Sequence, residues 1–194
     1  MKNIAIFASG GGTDMQSVID ACENGLINGR VVTVITNSSH AGALDRAKKH
    51  NISSKIFLKK NYDNSDFLRD QAIVEYLKPL NIDLIVLAGY LAIVTPALVN
   101  EYEGRMINIH PSLIPNFCGK GMYGMKVHEA VIAAKAKESG CTVHFVDEGA
   151  DTGKIIEQIH VKVLEDDTPE TLQKRILIQE HILLPKVVAM LCNK

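Results

Sequence analysis

Apolar residues follow two different spacings along the first 110 positions of the chain. Short, nearly continuous apolar runs predict five strands, at residues 4–7, 31–35, 54–58, 84–89 and 106–109. Between these runs, apolar residues recur every three or four positions, as Met15, Val18, Ile19 and Cys22 do, which is typical of a helix buried on one side. This alternation predicts an α/β fold with an open, mostly parallel, twisted sheet and helices on both faces.

Residues with strong preferences for helix ends set the expected boundaries. Gly25 ends the first helix, and a second helix is expected over residues 41–50. Ser65 is the expected N-cap of a third helix, which breaks at Pro79. Thr95-Pro96 opens a short fourth helix, because proline is favoured in the first turn.

The pattern changes after His110. Residues 116–125, NFCGKGMYGM, predict a glycine-containing loop, and a helix is expected over residues 126–137. The stretches CTVHFVDEG and KIIEQIHVKV alternate apolar and polar residues, which predicts an antiparallel pair of strands near the C-terminal part. Thr168 and Pro169 begin a last helix, which Pro185 is expected to kink or interrupt.

Composition narrows the class of protein. The 194 residues fit one domain, and 46% hydrophobic residues can fill a sizeable core. A net charge of −1 argues against binding to nucleic acid or to a membrane surface. The four cysteines show no Cys-x-x-Cys spacing, no signal-peptide core precedes the first glycines, and no 18-residue apolar run exists. We therefore expect reduced thiols and a cytoplasmic protein.

A glycine-rich turn, SGGGTDMQ at residues 9–16, joins the first strand to the first helix. Such a turn exposes backbone N–H groups at the positive end of a helix, where phosphate binds well. It matches neither the GxGxxG dinucleotide motif nor a P-loop. The alternative is a tight turn in which Thr13 or Asp14 caps the helix.

Asn108 and His110 end the fifth strand and point to the same face, because they are two residues apart. In open α/β sheets, ligands bind beyond the carboxyl ends of the strands. An amide can donate to a developing oxyanion, and an imidazole can move protons near neutral pH. The alternative is a hydrogen-bonded pair that closes the edge of the sheet.

Asp151, in the loop DEGADTG, is a candidate partner of His110. If this loop folds back, the carboxylate would hold the imidazole and favour its protonated form. Two other histidines are assigned structural positions: His144 inside a strand, and His128, next to Glu129, at a helix terminus. No HxH or HxxxH spacing supports a metal site built from His110, His128 and Asp151.

The chain resembles the folate-dependent glycinamide ribonucleotide formyltransferase family over nearly its whole length. The matching stretches are IAIFASGGGTDMQSVIDA, DLIVLAGYLAIVTPALV, INIHPSLIP, GCTVHFVDEGADTGKIIEQ and IQEHILLP. The resemblance implies a Rossmann-like formyltransferase domain, with a nucleotide-binding half at 1–105 and a catalytic, folate-binding half at 106–194. It implies formyl transfer from the co-substrate 10-formyltetrahydrofolate to the amine of glycinamide ribonucleotide, without a metal.

The resemblance also assigns roles to individual residues. Asn108 would hold the formyl oxygen, His110 would act as general acid, and Asp151 would raise the pKa of His110 and order a water. Backbone N–H groups of Gly12, Thr13 and Asp14 would bind the substrate phosphate, and Glu180 would face its glycinamide end. The folate-binding residues would be Asn108 and, mainly through their backbone, the residues of one segment: Leu91, Ala92, Ile93 and Val94.

Three departures from the family pattern are visible. The family usually has Asn in place of Asp14, and a carboxylate facing a phosphate costs on the order of 1 kcal/mol. Many members have Arg in place of Ala92, so a contact to the folate tail is missing; Lys120 is a candidate replacement. The 116–125 loop is longer than in some members, and its glycines suggest a mobile lid.

Two other classes of function are kept open. One is a 10-formyltetrahydrofolate deformylase, or a formyltransferase that acts on another amine. The other is a non-catalytic module that binds folate or a nucleotide. The chain length favours the purine enzyme, and the Asn108, His110 and Asp151 set argues against a pure binder. The expected partners are small molecules only, and the expected assembly is a monomer or a weak homodimer.

Overall fold

A computed structural model describes residues 1–193 as a seven-stranded sheet flanked by six α-helices. The strands are β1 (Lys2–Phe7), β2 (Gly29–Thr36), β3 (Ser53–Ile56), β4 (Leu84–Leu87), β5 (Met106–His110), β6 (Glu138–Phe145) and β7 (Ile155–Lys162). The helices are α1 (Thr13–Glu23), α2 (Ala43–Lys49), α3 (Asp66–Leu77), α4 (Pro96–Glu101), α5 (Met125–Ala133) and α6 (Pro169–Cys192).

The strand order is β3-β2-β1-β4-β5-β6-β7. The first five strands in this order are parallel, and β6 and β7 add an antiparallel pair. From β1 the chain therefore extends the sheet first on one side, through β2, and later on the other side, through β4. In open α/β sheets this switch point is where ligands bind. The predicted fold class is confirmed, including the antiparallel pair.

The sheet separates two apolar cores, as the alternation along β1 shows. Ile4 and Ile6 pack with residues of α1 and α6, whereas Ala5 and Phe7 pack with residues of α3 and α4. Every residue of β4 is buried, in agreement with the polar-free run of the sequence. Burial on both faces fixes the register of these strands, and with it the positions of the loops that follow them.

The predicted helix starts agree with the structure. The Ser65 hydroxyl accepts the backbone N–H of Leu68, and Thr168 forms a capping box with Thr171. One predicted helix end was wrong. Helix α5 stops at Ala133 because Lys135 takes a left-handed conformation and β6 begins at Glu138.

Helix α6 continues through Pro185 to Cys192 without interruption. Its neighbours Leu183, Leu184, Val187 and Val188 are fully buried. A proline within a helix costs about 3 kcal/mol. Burial of these four side chains offsets that cost, at roughly 1.5–3 kcal/mol each.

None of the helices within residues 1–193 has the length and apolar character needed to cross a bilayer. The four cysteines, Cys22, Cys118, Cys141 and Cys192, are free thiols.

Candidate functional site

Asn108 and His110 meet a single carboxylate. Asp151 Oδ2 lies 3.6 Å from His110 Nδ1, and Asp151 Oδ1 lies 3.5 Å from Asn108 Nδ2. The loop between β6 and β7 reaches this position because Asp151 adopts a left-handed conformation, with φ +58°, which aspartate tolerates better than most residues. The amide, the imidazole and the carboxylate therefore form one cluster on the face of β5.

The 116–125 loop closes over this cluster. The backbone N–H of Gly119 donates to Asp151 Oδ2 at 2.9 Å, and the carbonyl of Phe117 lies 3.0 Å from His110 Nε2. Because a carbonyl oxygen only accepts, His110 Nε2 carries a proton, and Nδ1 is the nitrogen that titrates beside Asp151. Both ring nitrogens thus have partners within the protein.

Burial and charge act in opposite directions on His110, which is 4% exposed. Burial lowers the pKa of His110, whereas the Phe117 carbonyl and the charge of Asp151 raise it; the net pKa is below the usual 6.5. Asp151 thus raises the pKa of His110, as expected, but desolvation outweighs the carboxylate and the net shift is downward. Burial opposes ionisation of Asp151 too, but contacts with His144, His110 and Gly119 bring its pKa below the usual value.

His144, which the sequence assigns to a structural strand position, contacts this cluster. The β5–β6 register places it opposite Asn108. Its Nδ1 donates to the Phe145 carbonyl at 2.8 Å, which leaves Nε2 to accept from Asn108 Nδ2 at 3.2 Å. Nε2 also lies 3.6 Å from Asp151 Oδ1. His144 therefore fixes which end of the Asn108 amide faces Asp151.

His128 lies in the first turn of α5, as expected, with Glu129 exposed beside it. Its ring is buried, and within residues 1–193 its Nδ1 has no hydrogen-bond partner. Burial, reinforced by the charge of His110, lowers the pKa of His128 to about 4. His128 is therefore neutral at pH 7.

The glycine-rich turn lies at the carboxyl end of β1. Gly12 is the N-cap of α1 with φ +73°, and no side chain caps the helix. Thr13 and Asp14 lie inside the helix, so the alternative in which one of them caps it is wrong. A Cβ on Gly12 would lie 3.0 Å from the Ala43 Cβ, which favours glycine here. The first N–H groups of α1 are thus free to bind an anion.

The Asp14 side chain points towards α6. Its Oδ1 lies 3.4 Å from His181 Nε2, and Glu180, next along α6, is 7% exposed. Burial raises the pKa of Glu180 well above its usual value, and the charge of Asp14 raises it further. Burial also raises the pKa of Asp14, while His181 opposes this effect. His181, which the sequence analysis did not single out, is thus the basic side chain that faces Asp14.

Residues 91–94 follow β4 at the same edge of the sheet. The side chains of Leu91 and Ile93 are exposed, by 58% and 68%, while Ala92 and Val94 are half-buried. The Leu91 N–H donates to the hydroxyl of Ser9, at the start of the glycine-rich turn, at 2.8 Å. Because β1, β4 and β5 are neighbours, the glycine-rich turn, residues 91–94 and His110 lie side by side.

Potential metal ligands meet elsewhere. Within residues 1–193, the one group of three whose ligand atoms lie within 4.8 Å of one another is Asp20, Glu23 and His50. These side chains already bond to one another and to Gln16. The set of His110, His128 and Asp151 does not form such a group.

Comparison with known proteins identifies the family. The model of the formyl transferase family matches residues 2–188. This chain belongs to that family. It is 42% identical over 188 residues to phosphoribosylglycinamide formyltransferase of Haemophilus influenzae, covering 97% of this chain and 86% of that protein. It is 42% identical over 193 residues to the chloroplastic phosphoribosylglycinamide formyltransferase of Arabidopsis thaliana, and spans 66% of that protein's length.

Solved structures give the same result. The crystal structure of phosphoribosylglycinamide formyltransferase from Bacillus halodurans aligns with a TM-score of 0.93 and 41% identity, covering 100% of this chain and 96% of that one. The predicted family is therefore confirmed by sequence and by fold.

Replacing Asp151 with asparagine is expected to lower the pKa of His110 further, because the variant loses the negative charge that partly offsets burial. The ¹⁵N chemical shifts of the imidazole, followed against pH, measure this change. Asp147→Asn in the same loop is the control, since Asp147 bonds to Gly149 and Thr152 instead. An unchanged or higher pKa in Asp151→Asn would show that Asp151 does not act on His110.

Proposed function

We propose that this chain transfers the formyl group of 10-formyltetrahydrofolate to the amine of glycinamide ribonucleotide, giving formylglycinamide ribonucleotide and tetrahydrofolate in purine biosynthesis. The observation that carries the proposal is the meeting of Asn108 and His110 at the Asp151 carboxylate. This cluster lies beside a glycine-rich turn with free N–H groups, within a chain similar to proteins named phosphoribosylglycinamide formyltransferase.

The proposed reaction begins when the amine nitrogen attacks the formyl carbon. The formyl oxygen then becomes anionic, and the Asn108 amide and the His110 N–H donate to it. Collapse of the tetrahedral intermediate breaks the bond to the folate nitrogen, which receives the proton that the amine has lost. His110 and a water ordered by Asp151 pass this proton. A buried imidazole with a low pKa releases a proton readily, which suits a relay.

The 116–125 loop has a proposed role in this reaction. Because Phe117 accepts from Nε2 and Asp151 faces Nδ1, His110 reaches the substrate only when one of these contacts is exchanged. We propose that the loop opens as a lid to release Nε2, with its three positive-φ glycines, Gly119, Gly121 and Gly124, as the flexible positions.

The proposed substrate sites lie along the edge formed by β1, β4 and β5. The phosphate of glycinamide ribonucleotide binds the N–H groups of Gly12, Thr13 and Asp14, and Glu180 faces the glycinamide end. The pterin lies against residues 91–94 and the 146–151 loop. These assignments draw on both proposed halves of the chain, since residues 91–94 precede residue 105 and Glu180 follows it.

The two competing functions differ in measurable ways. A deformylase would use water in place of the amine, and a binding module would not turn over. The Asn108–His110–Asp151 contacts favour catalysis, because a binding site gains little from a tuned proton donor.

A cytoplasmic location and a monomer or weak homodimer are part of the same proposal. Size-exclusion chromatography tests the oligomeric state.

Tetrahydrofolate formation by the purified protein, with and without glycinamide ribonucleotide, is expected to depend on the amine substrate, because the amine is the acceptor of the formyl group. The absorbance change on conversion of 10-formyltetrahydrofolate measures turnover. Equal turnover without the amine would support a hydrolase instead. Folate binding without any turnover would support a non-catalytic module.

The variant His110→Ala is expected to lower kcat by at least roughly a hundredfold with a modest change in KM, because it removes the proton relay. Steady-state kinetics with both substrates measure the effect. His160→Ala is the control, since His160 lies on β7 and its side chain is 59% exposed. A kcat close to that of the unmodified protein would contradict the role of His110.

The variant Asp14→Asn is expected to lower the KM for glycinamide ribonucleotide, because it removes a negative charge from the proposed phosphate site and from the vicinity of Glu180. Steady-state kinetics at saturating 10-formyltetrahydrofolate measure the KM. Asp20→Asn, further along α1 and exposed, is the matched control. An unchanged KM would mean that Asp14 does not face the phosphate.

A further inference from the structure

A buried ion pair fastens the segment that follows β4. The side chains of Arg69 and Asp70, on α3, are 1% and 0% exposed. Arg69 donates from Nε and Nη2 to Asp70 Oδ1, at 3.0 and 2.7 Å, and from Nη1 to Asp66 Oδ1 at 2.7 Å. Its Nη2 also donates to the backbone carbonyl of Ile93.

The carboxylate of Asp70 also bonds to the backbone of the segment that follows β4. Asp70 Oδ2 accepts the backbone N–H of Thr95 at 2.7 Å. The other end of the segment is held by Leu91, whose N–H donates to the Ser9 hydroxyl. Between these points the segment has neither helix nor strand, and two of its side chains are largely exposed. Polar contacts to the backbone therefore hold the segment, together with packing of the half-buried Val94 against the core on that face of the sheet.

Stability alone does not account for this pair. Removing two charges from water is costly, and apolar replacements of buried pairs are often neutral or stabilising. The charges within the cluster balance, since Lys59 also pairs with Asp66, and Asp66 and Asp70 face the two cations. Four of the five N–H groups of Arg69 are used inside the protein, so its guanidinium is not free to bind a ligand carboxylate in the bidentate manner.

We propose that Arg69 and Asp70 are positioning residues for the folate co-substrate. They hold the backbone of residues 91–95 in the conformation that presents its N–H and C=O groups to the pterin. The inference rests on the proposed function, which assigns the pterin to residues 91–94. The ion pair thus makes this part of the cleft rigid in a way that does not depend on the side chain at position 92.

The variant Arg69→Met is expected to raise the KM for 10-formyltetrahydrofolate about tenfold or more, because the loss of charge-assisted bonds frees the Ile93 carbonyl. The KM for glycinamide ribonucleotide is expected to stay within about twofold, since the glycine-rich turn keeps its own contacts. A purely structural role would not separate the two constants. If both constants rise together, or neither does, the proposal is overturned.

Arg69→Lys keeps a charge beside Asp70 and serves if the methionine variant does not fold. A lysine cannot donate to Asp66, Asp70 and Ile93 together, so a smaller rise in the same KM is expected. The matched control is Arg105→Met, because Arg105 also donates to backbone carbonyls, those of Ile82 and Glu101, but not to residues 91–95. The control is expected to lower the melting temperature without changing either KM.

Binding of tetrahydrofolate, measured by calorimetry, separates this inference from the proposed function. Wild-type protein that binds tetrahydrofolate but shows no formyl transfer contradicts the proposed function alone. Arg69 variants that bind tetrahydrofolate as tightly as the wild type contradict the positioning role alone. The expected result is weaker binding in both Arg69 variants and unchanged binding in Arg105→Met.

Discussion

The carboxylate of Asp151 is the contact on which the geometry of the candidate site depends. It faces two imidazoles and one amide, and it also accepts the backbone N–H of Gly119. Contacts with His144, His110 and the Gly119 N–H lower its pKa in spite of burial. An ionised carboxylate in this position links β5, β6 and the 116–125 loop, because each contributes a polar group that faces it.

Desolvation explains the behaviour of the titratable groups at both ends of the site. Around His110, burial outweighs the attraction of Asp151, and the imidazole loses its proton more readily than a free histidine. Around Glu180, burial and the neighbouring charge of Asp14 act together, and the carboxyl keeps its proton to higher pH. The same low polarity strengthens each direct contact between these buried groups.

Sequence reasoning succeeded where the signal is local. Strand positions followed from apolar runs, and Ser65 and Thr168 marked helix starts because capping involves residues only three positions apart. It failed where contacts between segments far apart in the sequence determine which residues meet. His144 joins the site only through the register of β6 against β5, and His181 meets Asp14 only through the packing of α6 on α1. Neither contact leaves a pattern within its own stretch of sequence.

Polar groups are held in this cleft in two different ways. On β5 the backbone is fixed by the sheet, and the proposed function assigns the chemistry to the side chains of Asn108 and His110. After β4 the backbone itself carries polar groups, and the side chain of Ala92 is free to differ from the arginine of many relatives. Exposure of Leu91 and Ile93 reduces the packing that would normally fix such a segment, and restricting its backbone costs about 1–2 kcal/mol per residue. A buried ion pair on α3 that bonds directly to backbone atoms restricts the segment without depending on the side chain at position 92.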